Sequence, residues 1–107
     1  MRVLLDACVP QDFRHAIGGH DVATARYAGF AHLSNGQLLA AMAGSFDVLI
    51  TTDKNLRHQQ HMSGRSISII VLNASGIRLP DLVPLVPRIL VALETLEPGT
   101  VVEISGA

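Results

Sequence analysis

The sequence has little of several features that identify a protein class directly. It contains one cysteine, no tryptophan and few charged side chains, which make up 16% of its residues. A single cysteine excludes a disulfide scaffold and a cysteine-rich zinc module, and it is typical of proteins in a reducing cytosol. We therefore predict a cytoplasmic protein.

Long apolar runs and an excess of one charge are also missing. The most apolar stretch, residues 82–96, is interrupted by prolines and charges, whereas a membrane-spanning helix needs about 20 apolar residues. We therefore predict no membrane segment. Eight basic and nine acidic residues leave a formal net charge of −1. The overall charge does not indicate nucleic-acid binding, although a local basic patch remains compatible with it.

The sequence does have a high apolar content. Hydrophobic residues make up 49% of its 107 residues, which excludes intrinsic disorder, and the length suits a single domain over residues 1–107. Short runs typical of strands cover residues 3–5, 20–24, 47–52, 66–72 and 100–104. Predicted helices begin near Pro10, Ser34, residue 55 and Pro80. This alternation predicts an α/β protein, with a mainly parallel sheet of about five strands and helices on its faces.

Between the predicted strands, capping residues and prolines mark where helices begin or break. Ser34 and Gln37 match a capping box, with serine at the N-cap and glutamine three positions later. Pro10 suits the first turn of an earlier helix. Apolar residues recur at helical spacing over residues 80–96, and we expect that helix to bend or restart near Pro87.

Two acids lie at the ends of predicted strands. Asp6 follows the first strand and Asp53 follows the third. Ligands of open α/β sheets collect at the carboxyl ends of strands, so the two carboxylates converge if these strands are neighbours. Paired carboxylates suit Mg²⁺ or Mn²⁺, which can activate water and stabilise the leaving oxygen of a phosphodiester. Each acid also has a structural alternative, Asp6 as a turn residue and Asp53 as the N-cap of the next helix.

Cations accompany these acids in the sequence. Lys54 and Arg57 follow Asp53, and Arg14 lies in the first predicted helix. On a shared edge of the sheet they would flank the carboxylates and bind a phosphate backbone. The alternative is that they are solvated surface charges.

Other residues that bind metals or act as nucleophiles give weaker signals. His58 and His61 can share a helix face, but a zinc site needs further ligands, and neither Cys8 nor His32 has diagnostic spacing. Ordinary surface histidines are the favoured interpretation. No Cys–His motif supports a nucleophile, so we predict that Cys8 is a small buried thiol.

Several segments occur in a recognisable order and spacing. They are MRVLLDACVP, GHDVATARYAGF, LSNGQLLAAM, FDVLITTDKNLRHQQ and the C-terminal IIVLNASGIRLPDLVPLVPRILVALETLEPGTVVEI. Over nearly its whole length the chain thereby resembles the DUF5615 family of PIN-like proteins. The resemblance implies a three-layer α/β/α sandwich, the fold of many Mg²⁺-dependent ribonucleases, including toxins of toxin–antitoxin pairs. It makes Asp6 and Asp53 the catalytic, metal-binding acids, with the hydroxyl of Thr51 or Thr52 near the metal.

The chain departs from this family at two positions. Ala7 stands where relatives often carry glutamate, and the neutral Gln37 stands where many carry an acid, so we expect Gln37 to lie beside the ligands without being one. PIN nucleases usually gather three or four carboxylates, and the pattern of this sequence places two, Asp6 and Asp53, at the expected edge. Two functions therefore stay open: a ribonuclease with an incomplete acidic site, or a catalytically degenerate module that binds RNA or an antitoxin-like protein.

The C-terminal apolar stretch also bears on assembly. Ten of the fifteen residues 82–96 are apolar, which is more than one buried stripe needs. A second apolar face is either deep core or a subunit contact. We predict a homodimer through this stretch.

Overall fold

The computed structural model of the chain describes residues 1–54, 56 and 66–106. Within these residues five strands form one sheet in the order β2-β1-β3-β4-β5, and every neighbouring pair is parallel. The strands are β1 (Arg2–Leu5), β2 (Asp21–Thr24), β3 (Val48–Thr51), β4 (Ser68–Asn73) and β5 (Val101–Ser105). The predicted α/β class and parallel sheet are confirmed, and each strand lies within two residues of its predicted bounds.

Short helices connect the strands in the described part of the chain. They are α1 (Ala25–Ala28), α2 (Asn35–Met42), α3 (Leu79–Leu82) and α4 (Val86–Thr95), with 3₁₀ segments at Gln11–Ala16 and Val83–Leu85. The helix predicted from Pro10 is thus a 3₁₀ segment, and the turns predicted over residues 55–62 lie almost entirely outside the described residues. The predicted restart near Pro87 is confirmed, because α4 begins at Val86 with this proline in its first turn.

Neighbouring residues of the central strands point into two separate apolar layers, because side chains alternate along a strand. Leu5 and Ile50 face one layer, whereas Leu4 and Leu49 face the other. The first layer is completed from the 3₁₀ segments, α3 and α4 by Phe13, Ile17, Leu82, Leu85, Ile89 and Leu93. The second is completed from α1 and α2 by Ala25, Leu38, Leu39 and Met42. Helices therefore cover both faces of the sheet, which gives a three-layer α/β/α arrangement.

Breaks at the prolines divide the most apolar stretch of the sequence into short pieces. Its buried stripe includes Ile89 and Leu93 on α4, whereas Val83 and Val91 are 43% and 61% exposed. In the described part of the chain, no helix has the length and apolar character that crossing a bilayer requires. The second apolar face predicted for this stretch is therefore partly at the surface.

An ion pair ties the amino edge of the sheet. Asp47 Oδ2 accepts a hydrogen bond from the backbone N–H of Arg2 at 2.8 Å, and the guanidinium of Arg2 lies 3.2 Å from Asp47 Oδ1. The backbone bond, and then the side-chain bond, from Arg2 hold the pKa of Asp47 below its ordinary value. Arg2 also donates to the carbonyl oxygen of Gly44 at 2.9 Å. These bonds join the start of β1 to the α2–β3 connection.

Candidate functional site

The strand order creates a switch point between β1 and β3. The chain moves outward from β1 to β2 on one side and from β3 to β4 and β5 on the other, so a crevice forms at the carboxyl ends of β1 and β3. Asp6 directly follows β1, and its backbone N–H donates to the carbonyl oxygen of Ile50 in β3 at 2.9 Å. Asp53 lies two residues beyond the end of β3. Both acids selected from the sequence therefore lie at this switch point.

Thr51 connects the two acids. Its side chain is buried, and its Oγ1 donates to Asp6 Oδ2 at 2.8 Å and accepts from the backbone N–H of Asp53 at 3.1 Å. A hydroxyl has one donor and two acceptor lone pairs, so it can make both bonds at once. Of the two threonines named in the sequence analysis, Thr51 is thus the one that contacts Asp6 and the backbone of Asp53. Cys8 Sγ lies 3.5 Å from the same oxygen.

Asp6 is held in a turn but keeps acceptor capacity. Its Oδ1 accepts from the backbone N–H of Ala7 at 2.8 Å, and its backbone carbonyl accepts from the N–H of Val9 at 2.9 Å. The structural alternative for Asp6, a turn residue, is thus also present. A carboxylate offers about four acceptor positions, and Ala7 and Thr51 use two of them. The half-buried carboxylate can therefore still bind a cation.

Helix α2 contributes a residue that the sequence analysis did not select. Asn35 is the first residue of α2, and its Nδ2 donates to Asp53 Oδ2 at 3.4 Å. The predicted capping box precedes it: Gln37 Oε1 accepts from the backbone N–H of Ser34 at 3.0 Å, and Ser34 Oγ accepts from that of Gln37 at 3.4 Å. Gln37 is exposed and its carbonyl oxygen closes this box. Asn35 therefore takes the position beside Asp53 that we expected Gln37 to occupy.

A signal for Asn35 was present in the sequence. A helix that connects two parallel strands of one sheet starts near the carboxyl edge, so the first turn of α2 is aimed at the edge where the acids lie. A polar residue directly after the N-cap is consequently a candidate, whatever its charge.

Two of the three cations selected from the sequence, Lys54 and Arg14, lie in the described part of the chain. Lys54 directly follows Asp53 and is exposed, whereas Arg57, like His58 and His61, lies outside the described residues. Arg14 lies in the first 3₁₀ segment, where its guanidinium donates to the carbonyl oxygen of Gln11 at 2.8 Å. It forms an ion pair of 3.7 Å with Asp12.

A groove of about 600 Å³ opens beside Asp6 and contains two further arginines. Residues 7–12 line it together with Arg26 of α1 and with Arg78, which directly precedes α3. In the described part of the chain the ion pairs are Arg2–Asp47 and Arg14–Asp12, so Arg26 and Arg78 form none there. Both are exposed, and planar guanidinium groups suit bidentate binding of phosphate.

The sequence analysis missed these two arginines because they belong to no charge cluster. Their shared property is position, since Arg26 lies two residues after β2 and Arg78 five residues after β4. Cations shortly after the carboxyl end of a parallel strand are brought to the ligand-binding edge. That criterion selects both.

The prediction that Cys8 is a buried thiol is wrong. Cys8 is exposed and lines the groove, whereas the adjacent Val9 is buried. The reason is the turn after Asp6, which leads the chain away from the sheet and directs Val9 rather than Cys8 into the apolar layer.

The donor set limits which metal the site fits. Among the described residues, no group of three or more histidine, cysteine, aspartate or glutamate side chains could hold an ion. Zinc sites and two-metal centres need more ligands than this. Asp6 and Asp53 provide hard oxygen donors, which fit one Mg²⁺ or Mn²⁺ with waters completing the octahedron.

Comparisons of this chain with family models, with curated proteins and with solved structures found no match.

Proposed function

We propose that this protein is a metal-dependent endoribonuclease of PIN-like type, which uses Asp6 and Asp53 to hold one Mg²⁺ or Mn²⁺. The observation that carries the proposal is the hydroxyl of Thr51, which joins the two acids at the β1/β3 switch point. The two-arginine groove beside them supports a polyanionic substrate. RNA, and a role as the toxin of a toxin–antitoxin pair, are proposed from the DUF5615 resemblance.

Each residue has a distinct task in this proposal. A bound divalent ion supplies a nucleophilic water at neutral pH and stabilises negative charge on the leaving oxygen. Thr51 orients the carboxylate of Asp6 and fixes the backbone of Asp53 before an ion binds. Asn35 restricts Asp53 further through its bond to Oδ2. Arg26 and Arg78 bind substrate phosphates, and this contact positions the phosphodiester without reading the base sequence.

Cleavage of single-stranded RNA in Mg²⁺ or Mn²⁺ tests the proposal. We expect Asp6→Asn and Asp53→Asn each to reduce the rate by at least about 100-fold, because each variant loses a charged ligand. Asp21→Asn is a matched control, since Asp21 is an exposed acid at the opposite, amino edge of the sheet. Equal rates in wild type, Asp6→Asn and Asp53→Asn would show that the cleavage comes from elsewhere.

A degenerate module that binds RNA or a protein partner is the second candidate. It is favoured by the absence of a three-acid group among the described residues and by the neutral Ala7 and Gln37. In this case RNA binds without cleavage, and the affinity falls steeply with salt concentration. Nuclease activity gained by Ala7→Glu combined with Asn35→Asp, the position that contacts Asp53, would show that the fold is competent and that only the missing acids prevent cleavage.

The proposed partners follow from the surface and from the family resemblance. We propose a homodimer through the partly exposed apolar side chains of the C-terminal helical stretch, including Val83 and Val91, and an antitoxin-like protein as the alternative partner. The proposed compartment is the cytoplasm, where the thiol of Cys8 would stay reduced. A monomeric mass in light scattering at micromolar concentration would contradict the homodimer.

A further inference from the structure

Tyr27 is held in a defined position while its ring remains in solvent. The side chain is 88% exposed, more than Ile77 or Val91. Its backbone N–H donates to Thr24 Oγ1 at 3.1 Å, and the helix ends at Gly29, whose φ of 83° is the left-handed conformation that favours glycine. The single turn of α1 therefore presents an aromatic surface that packs against none of the apolar layer beneath it.

This ring lies next to a cation. Tyr27 and Arg14 line a cavity of about 280 Å³, together with Gln11 and Thr24. The bond from Arg14 to the carbonyl oxygen of Gln11 restricts the guanidinium. An exposed aromatic ring beside an oriented guanidinium is the combination that binds unpaired nucleic-acid bases and their phosphates.

The cavity adjoins the groove that begins at Ala7. Gln11 lines both, and Arg26 of the groove precedes Tyr27 in α1. Along these two linings the cations Arg78, Arg26 and Arg14 outnumber the one acid, Asp12, which pairs with Arg14. A polyanionic strand matches this excess of cations, whereas a protein partner would need a broad apolar area that this small cavity does not provide.

We propose that Tyr27 and Arg14 form a base-binding subsite for single-stranded RNA. One unpaired base stacks on the ring of Tyr27, Arg14 contacts the adjacent phosphate, and the strand continues through the groove toward Asp6. The bases of a duplex are already stacked on one another, so a duplex cannot use this subsite. This inference rests on the proposed nuclease function and names the substrate class of the same site.

The composition of the chain provides a direct optical test. Tyr27 is the only tyrosine and there is no tryptophan, so tyrosine emission reports this ring alone. Titration of the full chain in EDTA, which prevents cleavage, with unlabelled single-stranded RNA is expected to quench this emission. Free N-acetyltyrosinamide titrated with the same intact RNA is the control for absorption, and the RNA with abasic sites, after the same correction, is the control for binding that does not involve a base. Quenching by intact RNA that equals quenching by the abasic strand would overturn the subsite.

Binding of labelled RNA, followed by anisotropy, gives a second measurement. Tyr27→Ala is expected to weaken binding of the single strand at least about fivefold, the lower end of the effect of losing one base–aromatic stack. Tyr27→Phe keeps the ring and should bind within twofold of wild type. Thr95→Ala removes an exposed polar side chain at the end of α4 that lines neither the groove nor the cavity, and it should bind within twofold of wild type.

The outcomes separate this inference from the nuclease proposal. Wild-type affinity in Tyr27→Ala, together with RNA cleavage that depends on Asp6, would overturn the subsite alone. Equal weakening for single strand and duplex would also overturn it, because the ring would then not distinguish unpaired bases. No RNA binding by the wild type would overturn both proposals, and binding of a protein through Tyr27 would then be the remaining interpretation.

Discussion

Thr51 makes contacts that require both a small side chain and a hydroxyl. Thr51→Val has almost the same shape but leaves Asp6 Oδ2 and the N–H of Asp53 without this partner. We expect a loss of about 1–3 kcal/mol in the free energy of unfolding, measured by urea denaturation.

Thr51→Ser separates the role of the hydroxyl in the site from its role in stability. The serine variant should lose about 1 kcal/mol for the missing methyl group but should keep the thermal shift on adding Mn²⁺. The valine variant should lose most of that shift, because its acids are no longer oriented for a cation. Equal shifts in both variants would show that the hydroxyl does not organise the metal site.

Asp47 predicts a stability difference that depends on pH. Because its pKa is lower in the folded chain than its ordinary value of 3.8, the stabilisation is fully present above that value and is lost as the pH falls through the folded pKa. Both side chains of this ion pair are more than a third exposed, with exposed fractions of 48% for Arg2 and 41% for Asp47. Solvent screening therefore limits the contribution to about 0.5 kcal/mol or less.

Urea denaturation of wild type and Asp47→Asn, at neutral pH and in steps down to about pH 2.5, measures this contribution. The wild type should be the more stable protein at neutral pH, and the difference should vanish at the acid end. It should also shrink in 1 M salt. A difference that grows with acidity would contradict the sign of the shift.

The sequence was sufficient to select some residues of the site and not others. Asp6 and Asp53 could be selected because an acid at the end of a wholly apolar strand is unusual and lies at a known edge. Asn35, Arg26 and Arg78 were missed, because they belong to no charge cluster and only their positions after strands or at a helix start mark them. The burial of Cys8 was wrongly predicted, because the turn over residues 6–9 buries Val9 and leaves Cys8 exposed.

At the scale of elements, the capping box of α2 links helix stability to the site. Ser34→Ala removes the side-chain acceptor for the N–H of Gln37 and is expected to cost about 1 kcal/mol. It should also loosen Asn35 and hence weaken Mn²⁺ binding. Thermal unfolding with and without the ion measures both effects.

Gln37→Glu is the control for the helix itself. Glutamate preserves the capping box and adds a negative charge near the helix N-terminus, so this variant should be at least as stable as the wild type. Unchanged stability in Ser34→Ala would mean that the packing of Leu38, Leu39 and Met42, rather than the box, sets the start of α2.

Helices could be predicted where the apolar periodicity was long or where a capping motif marked the helix start, and less well elsewhere. The capping box marked the start of α2, and apolar spacing marked the C-terminal helical stretch. The 3₁₀ form of Gln11–Ala16 could not be predicted, because six residues are too few for periodicity to distinguish it from an α-helix. Pro87 indicated a break, but the pattern did not predict the 3₁₀ turn Val83–Leu85 before it, where Leu85 is buried.

At the scale of the whole molecule, the alternation of strands and helices predicted the class but not the order of the strands. Parallel strands can follow one another in several orders with the same local pattern. The pairing of β1 with β3 is a tertiary property that the local pattern does not predict. This pairing brings Asp6 and Asp53 to the same edge of the sheet. The ion pair of Arg2 with Asp47 at the amino edge helps to join these parts of the chain.

The shared sheet predicts that the two apolar layers unfold together. Leu49 and Ile50 are neighbours on β3, both fully buried, yet they face opposite layers. We expect Leu49→Ala and Ile50→Ala each to cost about 2–5 kcal/mol, a large fraction of the roughly 5–15 kcal/mol that stabilises a domain. Val91→Ala, at an exposed position, should cost less than about 0.5 kcal/mol.

Scanning calorimetry distinguishes one cooperative unit from two. Adjacent residues of each central strand face opposite apolar layers, so both layers share the same strands. Loss of the packing in either layer should therefore unfold the whole sheet. Both variants should therefore show a single transition, at a lower temperature than wild type, with calorimetric and van't Hoff enthalpies in agreement. Two resolved transitions in either variant would mean that one layer of helices can leave the sheet while the other remains folded around the site.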